Sequence, residues 1–202
     1  MDEVSYPSLS KYLATCGFCS RRAAVDIIKQ SRVTVNGNIE LNPGYKVTDS
    51  CKVLVDGILL GKPQKRHYIM LNKPAGYVCS TESDSHKVVY ELLPKRIVKK
   101  YPSIHCVGRL DCNTSGLLLF TNNGSFSHNL TVPENEIAKK YFVKLRDKVC
   151  EKDKVEYCEK CKNGLLLKEE KKSPSFTTRP TVIEWKNNDE CYITVTEGKF
   201  HE

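Results

Sequence analysis

A single carboxylate, Asp111, lies in the stretch GRLDCNTSGLLLF, two residues after Arg109 and before the turn-prone run Cys-Asn-Thr-Ser. The segment copies the first half of a calcium-binding loop, but Asn122 stands where such a loop needs its final bidentate glutamate. Hydrolysis by paired carboxylates would need a second acid, and the sequence offers none beside it. On spacing alone, the favoured interpretation is a turn in which these polar side chains bond to backbone groups.

Two cysteine pairs with C-x-x-C spacing offer a second kind of chemistry, since four thiolates can hold a structural zinc ion. The pairs are Cys16/Cys19 and Cys158/Cys161, and about 140 residues separate them. A compact zinc ribbon has a far shorter separation. We therefore expect no metal site and treat zinc as the minor alternative.

The overall charge of the chain favours an anionic partner. Its 202 residues include 32 Lys and Arg against 24 Asp and Glu, a net charge of +8. Nucleic acid is the first candidate and an acidic membrane surface the second, although solubility alone could explain the excess. No apolar run approaches the roughly 20 residues of a membrane span, and the N-terminus lacks a signal peptide. We expect a cytoplasmic protein with reduced thiols.

The first sixty residues predict two helices and a small sheet. In SLSKYLATCG the apolar residues recur at helical spacing, and Ser20 is a good N-cap for a second helix over SRRAAVDIIKQS. The segment RVTVNGNIEL alternates like a strand on either side of Asn36-Gly37, the dipeptide that favours a tight type I′ hairpin. This module is predicted to end near Gly57.

Basic side chains cluster around the two predicted helices and would suit phosphate groups. The alternative is a solvated helix face with an Arg22/Asp26 pair one turn apart. The segment LSKYLATCGFCSRRAAVDIIKQSRVTVNG resembles the small RNA-binding domain named after ribosomal protein S4, with its L-x-K-x-L, S-R-R-x-A and V-x-V-N-G pattern. The resemblance implies RNA binding by the helix pair. The residues concerned are Lys11, Ser20, Arg21, Arg22 and Lys29.

The rest of the chain predicts a linker followed by a larger domain rich in strands. GKPQKRH is basic and poor in apolar residues, as linkers are. Beyond it, YIMLNKPAGYVCS, SIHCVGRLD, GLLLFT, KKYFVKL, GLLLKEE, TVIEW and CYITVTEG indicate strands. We predict an α+β chain with an RNA-binding domain at 7–57, a linker at 58–67 and a mixed, mostly antiparallel domain at 68–202.

Several ordered motifs of this larger domain resemble one enzyme family. VGRLDCNTSGLLLFTNNG is similar to the G-R-L-D-x-x-T-x-G-L-L-L-x-T-x-x-G signature of bacterial ribosomal pseudouridine synthases of the RsuA type. YIMLNKPAGYVCS resembles the family's opening strand and its Lys-Pro-x-Gly turn, KKYFVKL the strand with its tyrosine, and TVTEGKFH its closing stretch. The resemblance implies isomerisation of a uridine in ribosomal RNA, either free or in an assembly intermediate, by a monomer that needs no cofactor.

The resemblance also implies roles for individual residues. Asp111 corresponds to the catalytic aspartate, which either adds to the base or starts a glycal route by removing a sugar proton. Tyr141 corresponds to the tyrosine whose ring packs on the target base and could serve in proton removal. Arg109 is expected to hold the target nucleotide outside the helix, or else to make an ordinary phosphate contact. Lys73 would bind substrate or only shape the Lys-Pro turn.

The closing motif departs from the family pattern, which continues E-G-K-x-H-Q-[VI]-R-R-M, whereas this sequence ends at EGKFHE. An arginine of the continuation normally pairs with the catalytic aspartate and favours its charged form. The expectation is a catalytic domain truncated at its C-terminus. Arg146 and Lys144 are possible substitutes, but strand alternation puts both on the face opposite Tyr141. The alternative function is a catalytically impaired RNA-binding or ribosome-associated protein.

Overall fold

The computed structural model describes residues 6–61, 64–167 and 175–197. By their internal contacts the residues form two compact units, Met1–Ser127 and His128–Glu202. The boundary falls inside the segment for which the sequence predicts one catalytic domain. The candidate site residues are therefore divided between the two units.

Two helices begin the first unit, as predicted: α1 spans Leu9–Thr15 and α2 spans Arg21–Lys29. The hydroxyl of Ser20 accepts a hydrogen bond of 3.2 Å from the backbone N–H of Ala23, which confirms Ser20 as the N-cap of α2. The apolar faces of the helices close a core with the strands that follow. Its buried residues are Leu9, Leu13, Ala24, Ile28, Val33, Val35, Val47, Val53 and Val55.

A four-stranded antiparallel sheet completes this core, in the order β2-β1-β3-β4. Its strands are β1 (Val33–Val35), β2 (Asn38–Ile39), β3 (Val53–Val55) and β4 (Ile58–Leu59). Asn36 and Gly37 have φ of 53° and 89°, the two positive values that a type I′ turn requires, so the predicted hairpin is confirmed. Asp56 and Gly57 repeat the pattern at 51° and 78° between β3 and β4.

The described residues of the segment predicted as a linker, 58–67, belong to the first unit, and the first two of them form β4. The backbone N–H of Gln64 donates to the carbonyl of Thr15 at 2.7 Å, and its side-chain amide donates to the carbonyl of Lys100 at 3.3 Å. Gly17 allows this approach, because a Cβ at that position would lie 2.1 Å from the Gln64 amide nitrogen. The segment is therefore held by residues on both sides of it.

A second core of the first unit is built on an antiparallel sheet in the order β5-β9-β8. Its strands are β5 (Tyr68–Lys73), β8 (His105–Val107) and β9 (Gly116–Thr121), and the intervening elements are β6 (Tyr77–Val78), β7 (Lys87–Val88), the 3₁₀ turn Val89–Leu92 and α3 (Lys95–Lys100). The apolar run GLLLFT is the strand that was predicted. It is buried on one face only, since Leu118 and Phe120 lie in the core while Leu117 is 63% exposed.

The second unit contains an antiparallel sheet in the order β10-β14-β13. The elements from here on are α4 (Gly124–Thr131), which begins in the first unit, the 3₁₀ turn Pro133–Asn135, β10 (Lys139–Lys144), α5 (Glu151–Asn163), β11 (Leu166–Leu167), β12 (Phe176–Thr177), β13 (Val182–Trp185) and β14 (Glu190–Val195). Strand β10 alternates in burial as predicted, with Tyr141 and Val143 half-buried and Phe142 exposed. The sequence reasoning missed α5, which carries Cys158 and Cys161 and packs against β13.

Two further findings concern the described residues. None of their helices has the length and apolar character needed to cross a membrane. No group of three or more His, Cys, Asp or Glu side chains among them is arranged to hold a metal ion. The closing motif from Gly198 onward, with its comparison to the family pattern, lies outside the described residues.

Candidate active site

Asp111 lies in the loop between β8 and β9, and its side chain is exposed. The backbone N–H of Thr114 donates to the carbonyl of Asp111 at 3.1 Å, which closes a tight turn directly after the aspartate. A turn is therefore present at the polar run, and the hydrogen bond that closes it joins two backbone groups. Arg109, two residues earlier, is exposed on the same loop.

Lys73, the last residue of β5, holds this turn through hydrogen bonds from its side chain. Its side chain is fully buried, and its ammonium donates to four backbone carbonyls. The acceptors are Pro74 at 3.1 Å, Asp111 at 3.0 Å, Cys112 at 3.1 Å and Thr114 at 2.6 Å. A buried ammonium is costly unless hydrogen bonds satisfy it, and here three of the four acceptors belong to the turn that begins at Asp111. The charge of Lys73 is thus used to hold the turn.

The Lys-Pro-x-Gly turn makes a second contact with the loop. Gly76 has φ of 89°, a conformation that favours glycine, and its backbone N–H donates to the carbonyl of Cys112 at 2.8 Å. On the other side of the aspartate, the backbone N–H of Leu110 donates to the Sγ atom of Cys79 at 3.3 Å. The chain is therefore anchored immediately before and immediately after Asp111.

Tyr90 and Cys106 are partly buried against the second core of the first unit. Burial raises the pKa of Tyr90 to about 12, and its hydroxyl accepts a hydrogen bond of 3.3 Å from the backbone N–H of Cys106. Burial also raises the pKa of the Cys106 thiol. Both groups stay neutral near neutral pH, so neither is a candidate for the base or nucleophile of this site.

The structure divides the predicted catalytic residue and the predicted substrate-binding residues into two sets. Lys73, Arg109 and Asp111 belong to the first unit, and Lys73 contacts the Asp111 backbone directly. Tyr141 belongs to the second unit, where it lies on β10 opposite Ile193 of β14. The burial of Lys73 favours the turn-shaping role over direct contact with substrate. The sequence analysis did not identify Gly76 and Cys79 as residues that contact the Asp111 loop. The Lys-Pro-x-Gly motif was the one sequence signal that pointed to this contact.

The predicted RNA-binding residues lie on or beside the first two helices. Lys11 is on α1 and Lys29 on α2, while Arg21 and Arg22 form the first turn of α2, which contains no acid. All four side chains are exposed. The alternative Arg22–Asp26 ion pair is not formed, both residues lying in the described range 6–61. Arg32 is different, because it makes a bidentate ion pair with Asp56. Its Nε atom donates to Oδ1 at 3.0 Å, and its Nη2 atom donates to Oδ2 at 2.6 Å.

Two family models match successive parts of the chain. The family described as RNA pseudouridylate synthase matches residues 67–202, and the S4 domain family matches residues 8–50. The chain therefore belongs to the RNA pseudouridylate synthase family, isomerases that convert uridine in RNA to pseudouridine, and it carries an S4 domain. The matches support the isomerase prediction rather than the alternative of RNA binding alone.

Individual relatives cover nearly the whole chain. The ribosomal small subunit pseudouridine synthase A of Pasteurella multocida is 35% identical over 194 residues, which is 96% of this chain and 79% of the relative. The protein of the same name from Vibrio parahaemolyticus is 36% identical over 196 residues, with the same coverage. A solved structure titled as a pseudouridylate synthase has a TM-score of 0.61 and 32% identity, and the match covers 96% of this chain and 79% of that one.

Proposed function

We propose that this protein isomerises a uridine of small-subunit ribosomal RNA to pseudouridine, with Asp111 as the catalytic carboxylate. The observation that carries the proposal is the exposed aspartate on a turn whose backbone is fixed by the buried ammonium of Lys73. The curated relatives named as small-subunit synthases support the choice of RNA. Cytoplasmic location and action as a monomer, on free RNA or on an assembly intermediate, are part of the proposal.

One carboxylate is enough for this reaction. The bond between uracil N1 and ribose C1′ breaks, and a bond between C5 and C1′ forms. The C5 proton leaves and N1 regains a proton, so the product has the same composition as the substrate and no water is consumed. Asp111 would either add to the base or remove a sugar proton to start a glycal route. Both routes need a carboxylate that is exposed and held in a fixed position.

The remaining site residues would act around that carboxylate. Tyr141 would pack on the target base and take part in proton removal. Arg109, exposed on the same loop as Asp111, would hold the nucleotide outside its helix or contact a phosphate. Lys73 would act through the Asp111 backbone and not through the substrate.

RNA would be held in addition by the S4 domain. The exposed cations Lys11, Arg21, Arg22 and Lys29 would contact phosphates, and Ser20 would keep the N-terminus of α2 formed beside them. We propose an RNA-binding domain at residues 7–57, a linker at 58–67 whose first two residues form β4 of the small sheet, and a catalytic domain at 68–202. No cofactor is assigned to the reaction.

Tritium release from small-subunit ribosomal RNA labelled at uridine C5 tests the proposal. The wild-type chain is expected to release tritium, and Asp111→Asn to lower the rate by about 1,000-fold or more, because it removes the group that starts the reaction. Asp84→Asn, which changes another exposed aspartate of the same unit, is the matched control and should react like the wild type. Absence of release by the wild type, or equal release by Asp111→Asn, would refute the proposal.

A further inference from the structure

The second unit exposes an aromatic pair that the proposed reaction does not use. Phe142 on β10 lies directly opposite Tyr192 on β14, and their ring centroids are 5.5 Å apart at an interplanar angle of 55°. Phe142 is 52% exposed and Tyr192 is 37% exposed. We call the side of the sheet that carries them the outer sheet face. It consists of Lys140, Phe142 and Lys144 on β10, Glu190, Tyr192 and Thr194 on β14, and Val182 and Glu184 on β13.

The outer sheet face is the opposite side of the strands from Tyr141. Neighbouring side chains of a strand point to opposite faces, so Tyr141 and Phe142 cannot share one. The helix α5 packs against β13 on the side that carries Trp185, and the ammonium of Lys154 lies 5.6 Å from the centre of the Trp185 ring. Any ligand of the outer sheet face would therefore be distinct from a base that packs on Tyr141.

Lysine side chains surround the two exposed rings. The ammonium of Lys140 lies 4.8 Å from the centre of the Tyr192 ring, and that of Lys186 lies 5.5 Å from the centre of the Phe142 ring. Lys144 is exposed on the same face. Exposed aromatic rings that lie on a sheet among cations are the features with which proteins stack unpaired nucleotides and neutralise the backbone between them.

Two carboxylates also face this surface, and both are in ion pairs. Lys140 pairs with Glu184, and Lys186 pairs with Glu190 at 3.5 Å. Lys140, Glu184 and Lys186 are exposed and Glu190 is partly exposed. Ion pairs that water reaches are weak, because water screens them and long side chains must be ordered to form them. The two lysines can therefore exchange their carboxylates for phosphates at little cost, and Lys144 adds a further cation.

We propose that the outer sheet face is a second RNA-contact surface, on which unpaired bases of the ribosomal RNA stack against Phe142 and Tyr192. This inference rests on the proposed function, because it takes RNA as the substrate. It adds a contact beyond the S4 domain and the Asp111 loop, and it selects single-stranded RNA, since paired bases present only their edges and backbone. The three lysines would contact the intervening phosphates.

Binding of short RNAs to the full chain tests this surface. Phe142→Ala combined with Tyr192→Ala should weaken binding of a single-stranded oligoribonucleotide by about 10-fold or more, the loss expected when stacking of one or two bases is removed. Binding of a blunt RNA duplex of equal length should change by less than about twofold. Tyr157→Ala is the matched control, since it removes an exposed tyrosine from α5 of the same unit and should leave both affinities unchanged.

Equal single-strand affinity for the double variant and the wild type would overturn the inference. So would an equal fall in single-strand and duplex affinity, which would indicate a damaged fold or phosphate contacts alone. A wild-type dimer in sedimentation that the double variant fails to form would assign the face to a second copy of the chain and would also overturn it.

Crosslinking of the unaltered chain provides a test that needs no folded variant. Single-stranded RNA carrying 4-thiouridine should crosslink to peptides that contain Phe142 or Tyr192, and crosslinks confined to other segments would contradict the proposal. The result is separable from that of the proposed function. If the wild type releases no tritium and the two rings still govern single-strand affinity, the proposed reaction fails and this surface stands.

Discussion

The loop of Asp111 and the start of α2 both present polar side chains to solvent, but they are held in different ways. The loop is anchored on each side of the aspartate, through Leu110 and Cys112, and its turn rests on the buried ammonium of Lys73. The first turn of α2 presents Arg21 and Arg22 on a short helix whose N-cap is Ser20. A reacting group needs a fixed position, whereas phosphate attraction needs several cations and little fixed geometry.

Among changes that leave Asp111 in place, the largest effect is expected where the anchoring of the loop is removed. Lys73→Met removes one donor from each of four carbonyls, and those of Asp111 and Cys112 keep the backbone N–H groups of Thr114 and Gly76, so we expect a loss of about 3 kcal/mol in the free energy of unfolding. The turn should also loosen, and kcat for isomerisation should fall by about 100-fold. Thermal unfolding and tritium release measure the two effects. Lys99→Met removes an exposed lysine of the same unit and should change neither quantity. A Lys73→Met protein that melts and reacts like the wild type would show that the anchoring is not needed.

A smaller effect, on affinity alone, is expected at α2. Arg21→Ala combined with Arg22→Ala should weaken binding of ribosomal RNA by about 10-fold near physiological salt, because two phosphate contacts are lost. The dependence of log K on log salt should become shallower by about 1.4–1.8. A salt titration of the affinity provides the check. If the affinity and its slope are both unchanged, α2 does not face the phosphates. Arg32→Ala is the control, because the guanidinium of Arg32 is already paired with Asp56.

The smallest effect is expected at the helix cap. Ser20→Ala removes the acceptor for the Ala23 backbone N–H, and we expect a loss of about 1 kcal/mol in stability. Ser20→Asp should retain most of the stability, because aspartate also caps helices. Chemical unfolding followed by circular dichroism compares the two variants. Equal stability of Ser20→Ala and the wild type would mean that water replaces the cap without cost.

Much of the fold could be predicted from local sequence patterns. The cap at Ser20, the Asn36-Gly37 turn and the strands β9 and β10 each depend on a few adjacent residues, and all are confirmed. The helix α5 was missed, because its sequence EKDKVEYCEKCKN carries few apolar residues at helical spacing and the C-x-x-C pair suggested metal chemistry instead. Charged residues such as Glu and Lys favour helices intrinsically, and here that preference was the informative signal.

The candidate site was predictable in part. Its aspartate could be found from the motif, but the burial of Lys73 could not, because three of the four carbonyls that accept from it lie 38 to 41 residues further along the chain. The sequence offers only a lysine before a Pro-x-Gly turn, which left open whether Lys73 binds substrate or only shapes the turn. The contact between Lys73 and the Asp111 turn forms only when β5 pairs with β9 in the folded sheet.

The measurement that tests the account most directly determines kcat for tritium release and RNA affinity on the same two variants. Asp111→Asn should lose isomerisation while it binds ribosomal RNA within about twofold of the wild type. The variant with Arg21 and Arg22 both changed to alanine should bind about 10-fold more weakly and reach a wild-type kcat at saturating RNA. If Asp111→Asn retains isomerisation, or if each variant loses kcat and affinity together, the division between a fixed catalytic loop and a separate RNA-binding helix is wrong.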